Sequence, residues 1–87
     1  MPAAPDLPFA GTVTMFSTSW CGYSTGLKLA LDRAGIVFTD IDIERNPASA
    51  EYVMSVNGGN QTVPTVVFPD GTTATNPSVA EVQLRLA

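Results

Sequence analysis

Apolar and polar positions alternate with two different periods along this chain, and each change of period marks a new element. Thr12-Val13-Thr14-Met15-Phe16-Ser17 is β-branched and largely apolar, as a central strand buried on both faces is. Leu27, Ala30, Leu31 and Ala34 then recur at helical spacing, predicting a helix from about Gly22 to Ala34 with Gly35 as its stop. From Val37 to Ile43 the period returns to two, with Thr39, Ile41 and Ile43 on one face and Asp40 and Asp42 on the other. Asn46-Pro47 reads as the N-cap and first residue of a second helix, with Ala50, Val53 and Met54 inward and Asn57-Gly58-Gly59 as its end. Thr65–Phe68 and Thr72–Thr75 flank Pro69-Asp70-Gly71, a hairpin signal. Asn76-Pro77 is expected to start a last helix with Val79, Val82 and Leu86 inward.

The order β-α-β-α-β-β-α is that of an α/β domain. The first two strands, joined by a helix, should be parallel with a right-handed crossover, and the last two antiparallel. A four-stranded mixed sheet flanked by helices on both faces buries every stripe named above. Residues 11–87 are expected to form this domain. Residues 1–10, with Pro2, Pro5 and Pro8, are expected to form an extended, flexible arm without the basic and apolar regions of a signal peptide.

Composition narrows the function. With 45% hydrophobic and 14% charged residues the chain is globular, and a net charge of −4 argues against nucleic acid or an anionic membrane surface as main partner. No apolar stretch is long enough to span a bilayer. One cysteine excludes an internal disulfide framework and fits a reducing cytoplasm. The absence of histidine removes Cys-His catalysis and histidine metal sites, so no metal site is expected. Asp40, Asp42 and Glu44 read as a solvated strand face rather than as an acid pair.

What chemistry remains centres on Cys21. It sits in Trp20-Cys21-Gly22-Tyr23-Ser24, between the first strand and the first helix. There the helix dipole and free N–H groups favour thiolate over thiol, against the ordinary reading of a lone cysteine as a small buried hydrophobe. In α/β sheets this end of the strand is also where ligands bind. Thr62-Val63-Pro64, directly before a strand, is the second feature. Were the Val63–Pro64 bond cis, the Val63 backbone could turn its N–H and C=O towards an extended, peptide-like ligand.

Strand, Cys-x-x-Ser, helix, Thr-Val-Pro and trailing hairpin together resemble the glutaredoxins, the short members of the thioredoxin fold. The resemblance covers residues 11–87 and is nearest to the mycoredoxin group. It is carried by Thr18-Ser19-Trp20-Cys21-Gly22-Tyr23, Ser55-Val56-Asn57-Gly58-Gly59-Asn60, Thr62-Val63-Pro64-Thr65-Val66 and Thr75-Asn76-Pro77-Ser78. It implies a thiol–disulfide oxidoreductase, working as a cytoplasmic monomer with mycothiol as co-substrate and no tightly bound cofactor. Its reaction would be removal of mycothiol from mycothiolated proteins, with an NADPH-dependent mycothiol disulfide reductase as indirect partner. By the same resemblance Cys21 is the catalytic nucleophile, and Trp20, Gly22, Tyr23, Thr62, Val63, Pro64, Thr75 and Asn76 contact the co-substrate.

Two departures shape that expectation. Ser24 stands where such relatives carry a resolving cysteine, which leaves the monothiol route and removes the dithiol one. Thr18 and Thr75-Asn76 stand where glutathione-using relatives often have a lysine and a Gly-Gly pair. Losing that cation disfavours glutathione, and the uncharged Thr75 and Asn76 suit a hydroxyl-rich sugar. Asn76 doubles as the expected helix N-cap. The competing readings are an iron–sulfur-binding monothiol glutaredoxin, a glutathione-dependent glutaredoxin, a thioredoxin-like electron donor and a redox-inert adaptor.

Overall fold

The computed structural model describes residues 7–86. Of the arm expected over residues 1–10, residues 1–6 lie outside the described residues. At its end the Phe9 carbonyl accepts bonds from the Thr12 N–H (3.0 Å) and hydroxyl (2.7 Å). The elements then run β1 (Val13–Ser17), α1 (Gly22–Arg33), β2 (Phe38–Asp42), α2 (Pro47–Val56), β3 (Thr65–Val67), β4 (Thr73–Thr75) and α3 (Val79–Leu86). The sheet order is β2-β1-β3-β4, with β1 and β2 parallel and the other two pairs antiparallel. This is the expected four-stranded mixed α/β sheet. No helix among the described residues is long and apolar enough to cross a membrane.

Strand alternation sorts the apolar residues into two cores. Val13, Met15, Val66 and Phe68 face α1 and α3, where Leu27, Leu31 and Val82 complete the layer. Phe16, Val67, Ile41 and Ile43 face α2 and its Val53, Ala50 and Tyr52. Strands β1 and β3 are covered on both sides, so their continuous apolar runs carry no visible alternation. Each fully buried side chain of this kind contributes roughly 1.5–3 kcal/mol, and the central strands therefore anchor the fold.

Local signals explain the helix ends. Asn46 Oδ1 accepts the Ser49 N–H (3.3 Å) and Pro47 occupies the first turn of α2. Gly58 and Gly59, both at positive φ, then turn the chain away. Two expectations require correction. Ala34 is exposed as the C-cap of α1 rather than inward. The last helix starts at Val79 rather than at Asn76-Pro77. Asn76 has φ +48°, outside the extended range an N-cap uses, and Ser78 Oγ accepts the Glu81 N–H (3.1 Å) in its place. Ser78-Val79-Ala80-Glu81 is the Ser-x-x-Glu signature of a helix start.

Candidate functional site

The site is built at the C-terminal end of β1. Cys21 is the N-cap of α1, in extended conformation (φ −82°, ψ 117°). Its backbone carbonyl accepts the Thr25 N–H (3.1 Å) and hydroxyl (3.2 Å), and its own N–H bonds the Thr18 carbonyl (3.3 Å). An N-cap side chain ordinarily accepts the second or third N–H of the helix. At this cap the group in that place is a thiol, and α1 has no acidic residue in its first turn to oppose a negative charge.

The sulfur lies 3.9 Å from the Val63 carbonyl, within weak-donor range, and Cys21 is 8% exposed. Its pKa is lowered from the ordinary thiol value. The largest cause is the Ser24 hydroxyl, followed by the Ser24 N–H; burial opposes them, while the Tyr23 N–H and the Lys28 charge assist. Ser24 is fully buried, and its hydroxyl has no hydrogen-bond partner. An unpaired hydroxyl three residues along the same helix face is free to donate to sulfur once the thiol ionises.

Lys28, one further turn along α1, pairs with Asp40 on β2 (2.7 Å), and Asp40 also accepts the Ser17 hydroxyl (2.6 Å). Asp42 instead accepts the Glu44 N–H (2.9 Å) and lies 3.9 Å from Arg45. The carboxylates of this strand thus each serve a local contact, and Asp40 is more engaged than a merely solvated face implies.

The remaining expected contact residues fall into two groups. Trp20 and Tyr23 are 72% and 73% exposed on either side of Cys21, with Gly22 exposed between them. The second group is assembled from distant parts of the chain. Val63–Pro64 is cis, with Thr62 exposed, Val63 half-buried and Pro64 buried. The Asn76 N–H donates to the Pro64 carbonyl at 2.8 Å, and Thr75 is the register partner of Thr65, so the Thr75-Asn76 corner lies beside this loop. Thr18, in place of a lysine, is buried with its hydroxyl unpartnered.

Asn57, which the sequence marks as a helix stop and as part of a family segment but not as a site residue, is the polar junction behind this loop. Its amide bonds Val53, Thr65 and Thr75. Lys28 was likewise invisible as a neighbour of the thiol. Its only signal is a cation seven residues after Cys21, two turns along the same helix.

The glutaredoxin family model matches residues 13–72. A Mycobacterium tuberculosis protein described as a candidate glutaredoxin is 57% identical over 74 residues, covering 85% of this chain and 88% of that protein. Mycoredoxin 1 of Corynebacterium glutamicum is 47% identical over 70 residues, covering 80% of this chain and 86% of its own. Among solved structures, the glutaredoxin from Methanosarcina mazei Go1 superposes with a TM-score of 0.74 at 20% identity, over 90% of this chain and 80% of that one.

Proposed function

This chain belongs to the glutaredoxin family and is a single-cysteine thiol–disulfide oxidoreductase homologous to mycoredoxin, and from that premise we propose that it removes mycothiol from protein mixed disulfides by a monothiol route. The observation that carries the reading is the lone Cys21 at the helix N-cap, its pKa lowered, with a buried serine where an internal disulfide would need a second thiol.

The Cys21 thiolate attacks the mycothiol sulfur of a protein–mycothiol disulfide. The bond between the two substrate sulfurs breaks, and the protein thiolate leaves with the electron pair and takes a proton from solvent. Cys21 is then held as a mixed disulfide with mycothiol. A second mycothiol thiolate attacks the mycothiol sulfur of that disulfide and releases Cys21 as thiolate, giving mycothiol disulfide. An NADPH-dependent mycothiol disulfide reductase returns this product to two thiols.

In both steps Cys21 must be stabilised as an anion, and the Ser24 hydroxyl and the first-turn N–H groups are placed for that. The Val63 carbonyl, Thr62, Pro64 and the Thr75-Asn76 corner form the cradle we assign to mycothiol. Their uncharged hydroxyl and amide groups match a sugar better than a carboxylate. Trp20, Gly22 and Tyr23 are assigned to the rim.

Turnover of a mixed-disulfide substrate, with mycothiol or glutathione as the sole thiol and the matching reductase and NADPH, tests the reading. Preference for mycothiol is expected. Preference for glutathione would overturn the assignment of Thr75 and Asn76, and silence with both would overturn the monothiol exchange itself.

A further inference from the structure

The side-chain amide of Asn57 joins three elements. Its Nδ2 donates to the Val53 carbonyl in the last turn of α2 (2.9 Å) and to Thr65 Oγ1 at the start of β3 (3.0 Å). Its Oδ1 accepts from Thr75 Oγ1 at the end of β4 (2.6 Å). The orientation is fixed by chemistry, because the Val53 carbonyl can only accept and the NH2 group must face it. Thr65, fully buried, passes the connection on by donating its hydroxyl to the Thr62 carbonyl (2.8 Å). One run of side-chain bonds therefore links Thr62, Thr65, Asn57 and Thr75, beside the backbone bond from Asn76 to Pro64. Capping α2 requires only the Val53 contact. The other two partners lie 8 and 18 residues away and do nothing for that helix.

We propose that Asn57 is the positioning residue of the co-substrate cradle, holding the Thr62–Pro64 loop and the Thr75-Asn76 corner at one fixed separation so that a low-molecular-weight thiol engages both together. This rests on the assignment of those two segments to the co-substrate. Asn57 acts through Thr65 and Thr75, and its contribution is preorganisation: a bound thiol meets groups already in place. It leaves the Cys21 thiolate, whose stabilising groups lie on α1, untouched.

The test combines Asn57→Ala, Thr75→Val and the double variant. KM and kcat are measured with mycothiol and with glutathione mixed disulfides, beside the pH profile of Cys21 alkylation by iodoacetamide and hydrogen exchange at the Asn76 amide. Asn57→Ala is expected to raise KM about tenfold for whichever thiol the parent uses, with kcat and the alkylation profile unchanged. Exchange at the Asn76 amide should accelerate by about the same factor, and the double variant should lose less than the sum of the two single losses.

An unchanged KM, additive losses in the double variant, or a rise in KM accompanied by a lower kcat and a changed alkylation profile would overturn the proposal, the last by showing general structural support. A parent that prefers glutathione overturns the mycothiol reading and leaves the role of Asn57 standing. If the parent uses neither thiol, exchange at the Asn76 amide decides: acceleration supports the junction and an unaltered rate overturns it.

Discussion

The two ends of the central sheet treat polar groups differently. At the far end, around the hairpin turn, Asp70, Thr72 and Arg85 bond one another or the hairpin backbone. Asp70 Oδ1 accepts the Thr72 N–H (3.0 Å) and hydroxyl (2.6 Å), and Gly71, at φ +87°, lets the turn close. Arg85 donates to Thr72 Oγ1 (2.6 Å) and the Thr73 carbonyl (3.3 Å), meets Glu81 (3.6 Å), and lies 4.0 Å above the Phe68 ring. At the site end the Asn57–Thr65–Thr75 junction is paired, but Thr18 and Ser24 keep buried hydroxyls without partners, Cys21 offers a thiol with only a weak contact, and Trp20 and Tyr23 stand in solvent. A saturated end holds the strands in register. The unpaired Ser24 hydroxyl retains the capacity to donate to an ionised Cys21.

The comparison breaks most sharply at Cys21. Cys21→Ser should reduce disulfide exchange to background while leaving the thermal midpoint nearly unchanged, because one small buried side chain replaces another; surviving turnover would remove Cys21 from the mechanism. The mirror experiment is Phe68→Ala. Truncating this buried ring should cost about 3–5 kcal/mol in chemical denaturation, while the alkylation pH profile of the remaining folded protein stays that of the parent. A shifted profile would mean the two ends are not independent.

Ser24→Ala sharpens the contrast, because its two effects have opposite signs. Removing the hydroxyl that most lowers the thiol pKa should raise that pKa and slow alkylation at neutral pH. Removing a buried unpaired hydroxyl should at the same time stabilise the neutral-thiol fold by about 1 kcal/mol. The pH dependence follows from the direction of the shift. The folded thiol pKa is depressed, so the stability it contributes is fully present above the unfolded thiol pKa, about 8.5, and is lost as pH falls through the folded value. Alkylation should likewise inflect below the free-thiol range; an inflection at it would sink the activated thiolate.

The smallest effect belongs to the far end. Asp70 is held below its ordinary carboxylate range, chiefly by the Thr72 hydroxyl and N–H. Its contribution is present above the unfolded value and lost as pH falls through the lowered one. Asp70→Asn should therefore lower the thermal midpoint slightly at neutral pH, with the difference from the parent vanishing in strong acid.

Sequence alone determined the element order, the mixed sheet, the place of Cys21 at a helix start and the Asp-Gly hairpin. Each depends on interactions within a turn or two of chain: a hydrophobic period, a cap, a glycine free to take positive φ. Asn46-Pro47 was readable for that reason, and so was Ser78-x-x-Glu81, although Asn76-Pro77 gave the more conspicuous and misleading start. The tertiary structure alone decided which face Val66, Val67 and Phe68 each took, since a strand covered on both sides has no polar residues to mark its pleat. It also decided that Ser24 would be sealed beside the thiol, and that Asn57 would bind Thr65 and Thr75. Those outcomes depend on how the sheet packs and pairs, and hydrogen bonds between residues 8 and 18 positions apart leave no periodic trace in the chain that makes them.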